Sequence, residues 1–584
     1  MARVVIDPVT RIEGHLRIEV EVQGNRVVDA WSSGTMFRGI EKIVRGRDPR
    51  EAWIWAQRIC GVCTTVHALA SVRAVEDALG IEVPENAKLV RNIIAGTQNI
   101  HDHIVHFYHL HALDWVDVTL ALKADPAKTS QLAQSISDWP KSSTAYFKTV
   151  QDRVKTLVAS GQLSLFSSGD WGHSAYILPP EVNLLAVAHY IEALELQREV
   201  VRIHAVLGGK NPHLQTYLVG GMASGMDPDE PGAAINSETV MLLNQLAKNA
   251  ETFVKQVYLP DVVAIAGFYK DWFSIGEGIG NYMAYGDLTL GSQKDPSGFF
   301  FPRGIILGRD LSTVHSLDPS KIAEYVAHSY YDYEGGEAGL HPSKGQTNPN
   351  YTGPKPPFEH LNTDGKYSWV KSPRYDNHAM EVGPLARTLI AYASGRQNVK
   401  QQVDATLTKL NLPATALFST MGRIAARAIE AGIIVGELEL WINKLEDNLG
   451  HGNLRIHEGA MWNPDNWPKS CAGFGLEEAP RGSLGHWIEI EDKKIANYQA
   501  VVPSTWNAGP RDGTGQRGAY EQSLLNTPIA DPERPLEVLR TVHSFDPCMA
   551  CAVHVVQPNG QLYSTVQVEA MASAAASGAL CLDK

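Results

Sequence analysis

Two stretches of the chain carry thiols at a spacing that suits metal chemistry: "RICGVCTTVH" at residues 58 to 67 and "FDPCMACAVH" at residues 545 to 554. Each is a CxxC pair followed by a histidine, with Cys60, Cys63 and His67 in the first and Cys548, Cys551 and His554 in the second. A CxxC turn lets two sulfurs converge on one cation. Two such turns give four thiolates, a soft donor set suited to zinc, nickel or iron-sulfur chemistry. A structural zinc knot is the plain reading and a redox dithiol another. Their separation argues against the knot, because zinc ribbons collect ligands locally, where short loops cost less entropy to close. Bringing residue 60 to residue 548 requires the core between them to fold first, which fits a buried reactive centre better than a staple.

Other chemistry-bearing residues flank these pairs. "DPVTRIEGH" (7 to 15) sets Glu13 among apolar and small residues. It reads either as a buried carboxylate poised for proton transfer or as a surface acid beside Arg11. "NIHDHIVHFYHLHALDW" (99 to 115) packs His101, His103, His106, His109 and His111 into one predicted helix. At 100° per residue their rings scatter around the axis, so most read as core or interface histidines rather than a second metal site. Asp102 stands out as a carboxylate among aromatic and apolar neighbours.

The elements that must position these residues predict an α+β fold: a large, mainly helical core built on a buried bundle of long helices, with small β elements near both chain ends. "HLRIEVEV" (15 to 22) alternates Leu16, Ile18, Val20 and Val22 on one face, and "QGN" turns it into "RVVDAW", a β-hairpin pattern. Residues 181 to 209 and 422 to 450 carry apolar residues at helical spacing and end at Gly208, Gly209 and Gly450. The Gly-, Pro- and Asn-rich stretch 336 to 366 predicts a long surface excursion.

Composition narrows the partners. The net charge of −13 over 584 residues makes nucleic acid and anionic lipid poor candidates. The start "MARVVIDPVT" has no basic region followed by an apolar one, and no uninterrupted apolar run reaches about 18 residues. The sequence therefore predicts neither an export signal nor a membrane anchor of its own.

Together "DPVTRIEGHLRIE", "MFRGIEKIVRGRDPREAW", "RICGVCTTVHALASVRAVEDAL", "HAMEVGPLAR", "APRGSLGHW", "YQAVVPSTWN" and "SFDPCMACAVH" resemble, in order from residue 5 to residue 554, the large catalytic subunit of nickel-iron hydrogenases, most of all the membrane-associated uptake type. The resemblance implies that Cys60, Cys63, Cys548 and Cys551 bind nickel. Cys63 and Cys551 would also bridge to an iron bearing carbon monoxide and cyanide. Glu13 would pass protons to and from the cysteine sulfurs, and Arg481 would hang its guanidinium over the open metal position, oriented by Asp102 and Asp546. Pro480 and Ser504 would surround the diatomic ligands, and His67 would donate a hydrogen bond to Cys551. Glu41, the backbone carbonyl of Ala500 and His554 would hold a magnesium ion. The implied reaction is heterolytic splitting of H2, giving two protons and two electrons, with Glu13 as the outward proton relay.

Electron transfer points to a partner. Apart from the four site cysteines the chain has only Cys471 and Cys581, fewer than the four thiolates of an ordinary iron-sulfur cluster. The resemblance supplies an iron-sulfur small subunit, giving a heterodimer or a dimer of heterodimers. In uptake types its export signal carries both chains to the periplasmic side of the cytoplasmic membrane, the membrane being met only through partner subunits; a cytoplasmic relative would lack a signal too. It also implies one catalytic unit over residues 1 to 554 and a processing extension, 555 to 584, cut after His554 by a maturation endopeptidase. The readings kept open are a hydrogen-sensing relative with the same site and a non-catalytic zinc scaffold. A quinone-reductase relative lacks the four cysteines.

Overall fold

The structure is a computed structural model that describes residues 2–161, 166, 169–229, 233–292 and 294–552, with the backbone alone at residues 551 and 552. At the N-terminus, β1 (Ala2–Ile6), β2 (Leu16–Gln23) and β3 (Arg26–Gly34) form an antiparallel sheet in that order. The β2–β3 loop is Gly24-Asn25, both at positive φ (57° and 59°), the two-residue geometry that matches strand twist. The hairpin predicted from "QGN" is present, and β1, which the sequence pattern did not mark, adds a third strand to it.

Helices fill the middle. The ones that matter for the site are α1 (Val66–Leu79), α2 (Glu85–Val105), α3 (Pro180–Val200) and α4 (Thr420–Gly450). The 31 residues of α4 begin at Ser419, whose hydroxyl accepts the N–H of Gly422 and so satisfies a free amide of the first turn. Helix α2 lies close against α4 at Gly96, where a Cβ would stand 2.9 Å from the Trp441 ring and 3.1 Å from Leu438. The predicted helix 181 to 209 is divided: α3 stops at Val200, and a separate turn, Arg202–Gly208, ends on Gly209 at φ 76°. The histidine-rich stretch is not one regular helix either. Beyond α2 it passes through a wide π turn, His106–His111, and a 3-10 turn, Ala112–Asp114.

Toward the C-terminus β4 (Ser470–Ala479), β5 (Gly482–Glu491) and β6 (Lys494–Val501) make a second antiparallel sheet, followed by α5 (Leu536–His543). Small β elements near both ends around a helical core are therefore as expected. The middle also contains short paired strands where the sequence pattern suggested helix or loop, Tyr282–Ala284 with Gly304–Ile306 and Ile322–Tyr325 with Ser372–Tyr375. At three or four residues each they are too short to display an alternation in sequence. The stretch 336 to 366 has no α-helix or strand, only a 3-10 turn at Pro342–Lys344, and much of it is exposed. It is more than a surface excursion, because Thr347 and Leu361 turn inward to contact Glu41 and the N-terminal sheet.

Two apolar cores meet at the thiols. Cys60, Cys63 and Cys548 belong to the large core of α1, α2 and α4. Leu16, Ile18 and Val20 of β2 form a separate core with Val538, Val542, Phe545 and Met549. The N-terminal sheet thus uses its apolar face to hold the C-terminal segment that carries Cys548.

Candidate metal centre

Cys60 follows a 3-10 turn, Gln57–Ile59, in extended conformation, and Cys63 lies just before α1. The Cys60 Sγ accepts the amide N–H groups of Val62 (3.3 Å) and Cys63 (3.2 Å), so the local turn aims both thiols one way. Cys548 meets them from the other end of the chain: its Sγ lies 3.4 Å from that of Cys60 and 3.7 Å from that of Cys63. Those separations far exceed the disulfide bond length of about 2.0 Å. They match the roughly 3.8 Å edge of a tetrahedron of sulfurs about 2.3 Å from one metal. All three residues are buried, and among the described residues they are the group arranged to hold a metal ion. Cys551 lies in the helical turn Met549–Ala552, but its side chain, like all of His554, lies outside the described residues.

Glu13 reaches the same spot from an irregular loop. Its N–H donates to the Pro547 carbonyl (3.2 Å) and its carbonyl accepts from Met549 (2.7 Å), a short parallel bridge to the cysteine segment. Its Oε2 accepts from the Ala550 amide (2.9 Å) and stands 3.3 Å from the Cys548 Sγ. Burial, with the nearby Cys60 thiol, pushes its carboxyl up to about 7 against the opposing pull of those hydrogen bonds and Arg481. It is a half-buried carboxylate set on a sulfur rather than an acid facing solvent beside Arg11.

Arg481 sits in the two-residue turn between β4 and β5. Its guanidinium donates to Asp102 Oδ2 (2.9 Å), Asp546 Oδ1 (3.0 Å) and the Asp546 carbonyl (3.0 Å). Burial opposes its charge, but Asp546, Cys548 and Asp102 outweigh that and hold it well above its ordinary range. Asp102 also accepts from Gln98 one helical turn earlier (2.7 Å). Burial pushes the Asp546 carboxyl up, against the pull of Arg481 and Arg427. Ser504 accepts the Cys548 amide at 3.0 Å, and the Pro480 carbonyl accepts from Arg387.

Other expected site residues have partners of their own. His67 Nδ1 meets His486 Nε2 at 3.0 Å, and burial lowers its pKa to about 4, keeping the ring neutral. Glu41 is reached by the amide N–H of Ala500 (2.9 Å) and the Thr347 hydroxyl. Next to them the Gln499 side-chain carbonyl accepts from Lys371. This oxygen-rich corner suits a hard cation. Of the histidines on α2 and its π turn, His103 bonds Glu430, His106 the carbonyl of His543, and His111 that of Arg540.

Two further residues, given no role in the sequence analysis, shape the site. Arg387, buried in "HAMEVGPLAR", clamps the carbonyls of Ala479 and Pro480 and the carboxylates of Glu430 and Glu478, fixing the Arg481 turn from behind. Gln98 was missed although its i−4 spacing to Asp102 was a usable signal.

Comparison with known proteins agrees with this geometry. The family described as nickel-dependent hydrogenase matches residues 38–554, and a second, described as HoxL-like, matches residues 3–31. The chain is 52% identical over 580 residues to an uptake hydrogenase large subunit of Bradyrhizobium diazoefficiens, covering 97% of each. It is 50% identical to the hydrogenase-1 large chain of Escherichia coli, again over 97% of each. Among solved structures, an H2-activated [NiFeSe]-hydrogenase of Desulfomicrobium baculatum aligns with a TM-score of 0.73 at 35% identity, over 95% of this chain and 100% of that one.

Proposed function

The chain belongs to the nickel-dependent hydrogenase family as a large, catalytic subunit, and from that membership we propose that its thiolate cluster holds a nickel-iron centre for the reaction H2 ⇌ 2H+ + 2e−. The observation that carries this is the meeting of Cys60, Cys63 and Cys548, from opposite chain ends, beneath Glu13 and Arg481. A soft, buried donor set of this kind fits nickel and iron. Cys551 would complete the set, with carbon monoxide and cyanide as the further ligands of the iron. When bound, the centre supplies the heterolytic splitting of H2 and takes up its electrons.

The protein residues do the rest. Glu13 takes the proton from the Cys548 sulfur across 3.3 Å and hands it outward. Asp102 and Asp546 pin the Arg481 guanidinium, so its charge faces the sulfurs in a dry pocket where it acts strongly. Pro480 and Ser504 would flank the diatomic ligands, and neutral His67 would donate a hydrogen bond to Cys551. Glu41, the Ala500 carbonyl and His554 would hold a magnesium ion. The unit works over residues 1 to 554, and an endopeptidase removes 555 to 584 after His554, freeing that residue to close the site.

Electrons pass to an iron-sulfur small subunit, since Cys471 and Cys581 are too few to hold a cluster. No helix among the described residues is long and apolar enough to cross a membrane. The heterodimer works at the periplasmic side of the cytoplasmic membrane, exported by its partner's signal.

Metal analysis of the purified heterodimer, with infrared spectra in the carbon monoxide and cyanide region, tests the centre. Zinc in place of nickel and iron would return the protein to the scaffold reading. Intact mass of active enzyme tests the processing, which fails if the large subunit still ends at Lys584.

A further inference from the structure

Glu13 lies in a loop, residues 7 to 14, outside helix and strand, whose backbone is held by the Val9 amide on the Leu16 carbonyl (2.8 Å) and by the bridge of Glu13 to Cys548. That bridge moves with the C-terminal segment. Arg481 on Asp546 and Arg427 on the Ser544 carbonyl already hold that segment, so keeping the 3.3 Å approach of carboxylate to sulfur requires the Glu13 loop to be tied to the same frame.

One buried carboxylate contacts both. Asp114, fully buried at the end of the π-turn region, forms an ion pair with Arg11, two residues before Glu13. Arg11 stands at φ 54° and also donates to the Leu110 carbonyl (2.6 Å), so the fork of its guanidinium spans the turn. On its other oxygen Asp114 meets His543 Nδ1 at 2.6 Å, and His543 is the last residue of α5, five before Cys548. The His543 Nε2 meets the Thr10 carbonyl at 2.9 Å. The two ring nitrogens of His543 thus link the Asp114 carboxylate to the backbone of the Glu13 loop. The His543 carbonyl in turn accepts from His106 Nε2 (2.6 Å) and from the Asp546 amide (2.9 Å). Charge balance agrees: burial opposes ionisation of Asp114, but Arg11 and His543 outweigh it and hold its carboxyl well below the usual range.

We propose that Arg11, Asp114 and His543 are positioning residues, a buried ion cluster that sets Glu13 at proton-transfer distance from Cys548 by tying the loop before one and the helix before the other to a single carboxylate. The inference rests on the reading of Glu13 as proton relay. None of the three touches the sulfurs, and their effect runs through backbone position alone.

The test uses the metal-loaded heterodimer. In Asp114→Asn the shape stays and the charge goes. Turnover should fall about tenfold, and the rate ratio between H2O and D2O should rise as proton transfer becomes limiting. Nickel and iron content and KM for H2 should hold. Amide hydrogen exchange in residues 8–16, read by mass spectrometry, should quicken about tenfold while β4–β6 stay unchanged. Arg11→Lys keeps the charge but cannot span Asp114 and the Leu110 carbonyl. It should show the same pattern more weakly, and it decides the matter if Asp114→Asn does not assemble. Unaltered turnover and exchange in Arg11→Lys, or activity lost only in proportion to metal with the isotope effect unmoved, would overturn the proposal. Glu13→Gln in the same series separates the two readings: wild-type turnover there removes the relay itself, whereas a large loss there beside unaltered Arg11 and Asp114 variants removes only the cluster.

Discussion

Cys60 and Cys63 are arranged by their immediate neighbours: a 3-10 turn before them, two amides of their own turn on one sulfur, and α1 directly after. Cys548 has no such local frame. Its amide rests on Ser504, its sulfur on Glu13, and its segment on a core shared with β2, whose residues are more than 500 positions away in sequence. The first pair can form as soon as the start of α1 folds. The second exists only once both chain ends and the β4–β5 turn are in place. The site is therefore a local half and a long-range half, and the half that holds the proposed proton relay is the long-range one.

The largest effect is expected where the halves meet. Replacing either Cys63 or Cys548 by Ser removes a thiolate from the shared cluster, so both variants should lose bound nickel and H2 oxidation completely. Their backbones should respond differently. Cys548→Ser should also loosen residues 8–16 in hydrogen exchange, because the metal joins that segment to the core, while Cys63→Ser should leave the α1 start as protected as before. Full nickel occupancy in Cys548→Ser would break the assignment.

What was legible in the sequence divides along the same line. The CxxC spacing, the hairpin turn Gly24-Asn25 and the neighbours Glu13, Asp102 and Arg481 are written in short segments, so motif and pattern reach them. The backbone bridge from Glu13 to Pro547 and Met549, the Arg387 clamp and the inward turn of Thr347 onto Glu41 depend on residues far apart in the chain. No local period encodes them. The histidine stretch shows the limit from within one segment: ring scatter at 100° per residue pointed to core histidines, as buried His103, His106 and His111 are, but it could not show that the backbone widens into a π turn to seat His106 and His111 on α5 carbonyls.

Next in size is Glu13→Gln, which keeps shape and hydrogen bonding but removes the transferable proton. Turnover should fall about 10^2- to 10^4-fold with nickel and iron content unaltered. Near-normal H2/D2 exchange in that variant would assign the proton path elsewhere. Arg481→Lys should come after it with a loss of about 10^2-fold, since a lysine cannot donate at once to Asp102, Asp546 and the Asp546 carbonyl as the guanidinium does. Its thermal midpoint should move little, because a cation still balances the two aspartates, and unaltered kinetics would take Arg481 off the catalytic surface.

The smallest expected effect compares the halves most directly, through one glycine from each. Gly14, next to Glu13, has φ 79°, and a Cβ there would stand 2.4 Å from the Ala550 amide nitrogen and 2.9 Å from the Met549 carbonyl carbon. The chain must yield both in dihedral and in distance, and the part that yields is the segment carrying Cys548. Gly61, inside the first CxxC turn, has no such demand: its Cβ would meet only the His213 ring, at 3.7 Å, an ordinary contact. Gly14→Ala should therefore cost about 2 kcal/mol, from a left-handed backbone position and a steric clash. Gly61→Ala should stay within about 0.5 kcal/mol of the unaltered protein. Thermal unfolding of the two heterodimers measures the difference. Equal midpoints would mean that the second thiol segment has slack the structure does not display, and that the long-range half is no more tightly constrained than the local one.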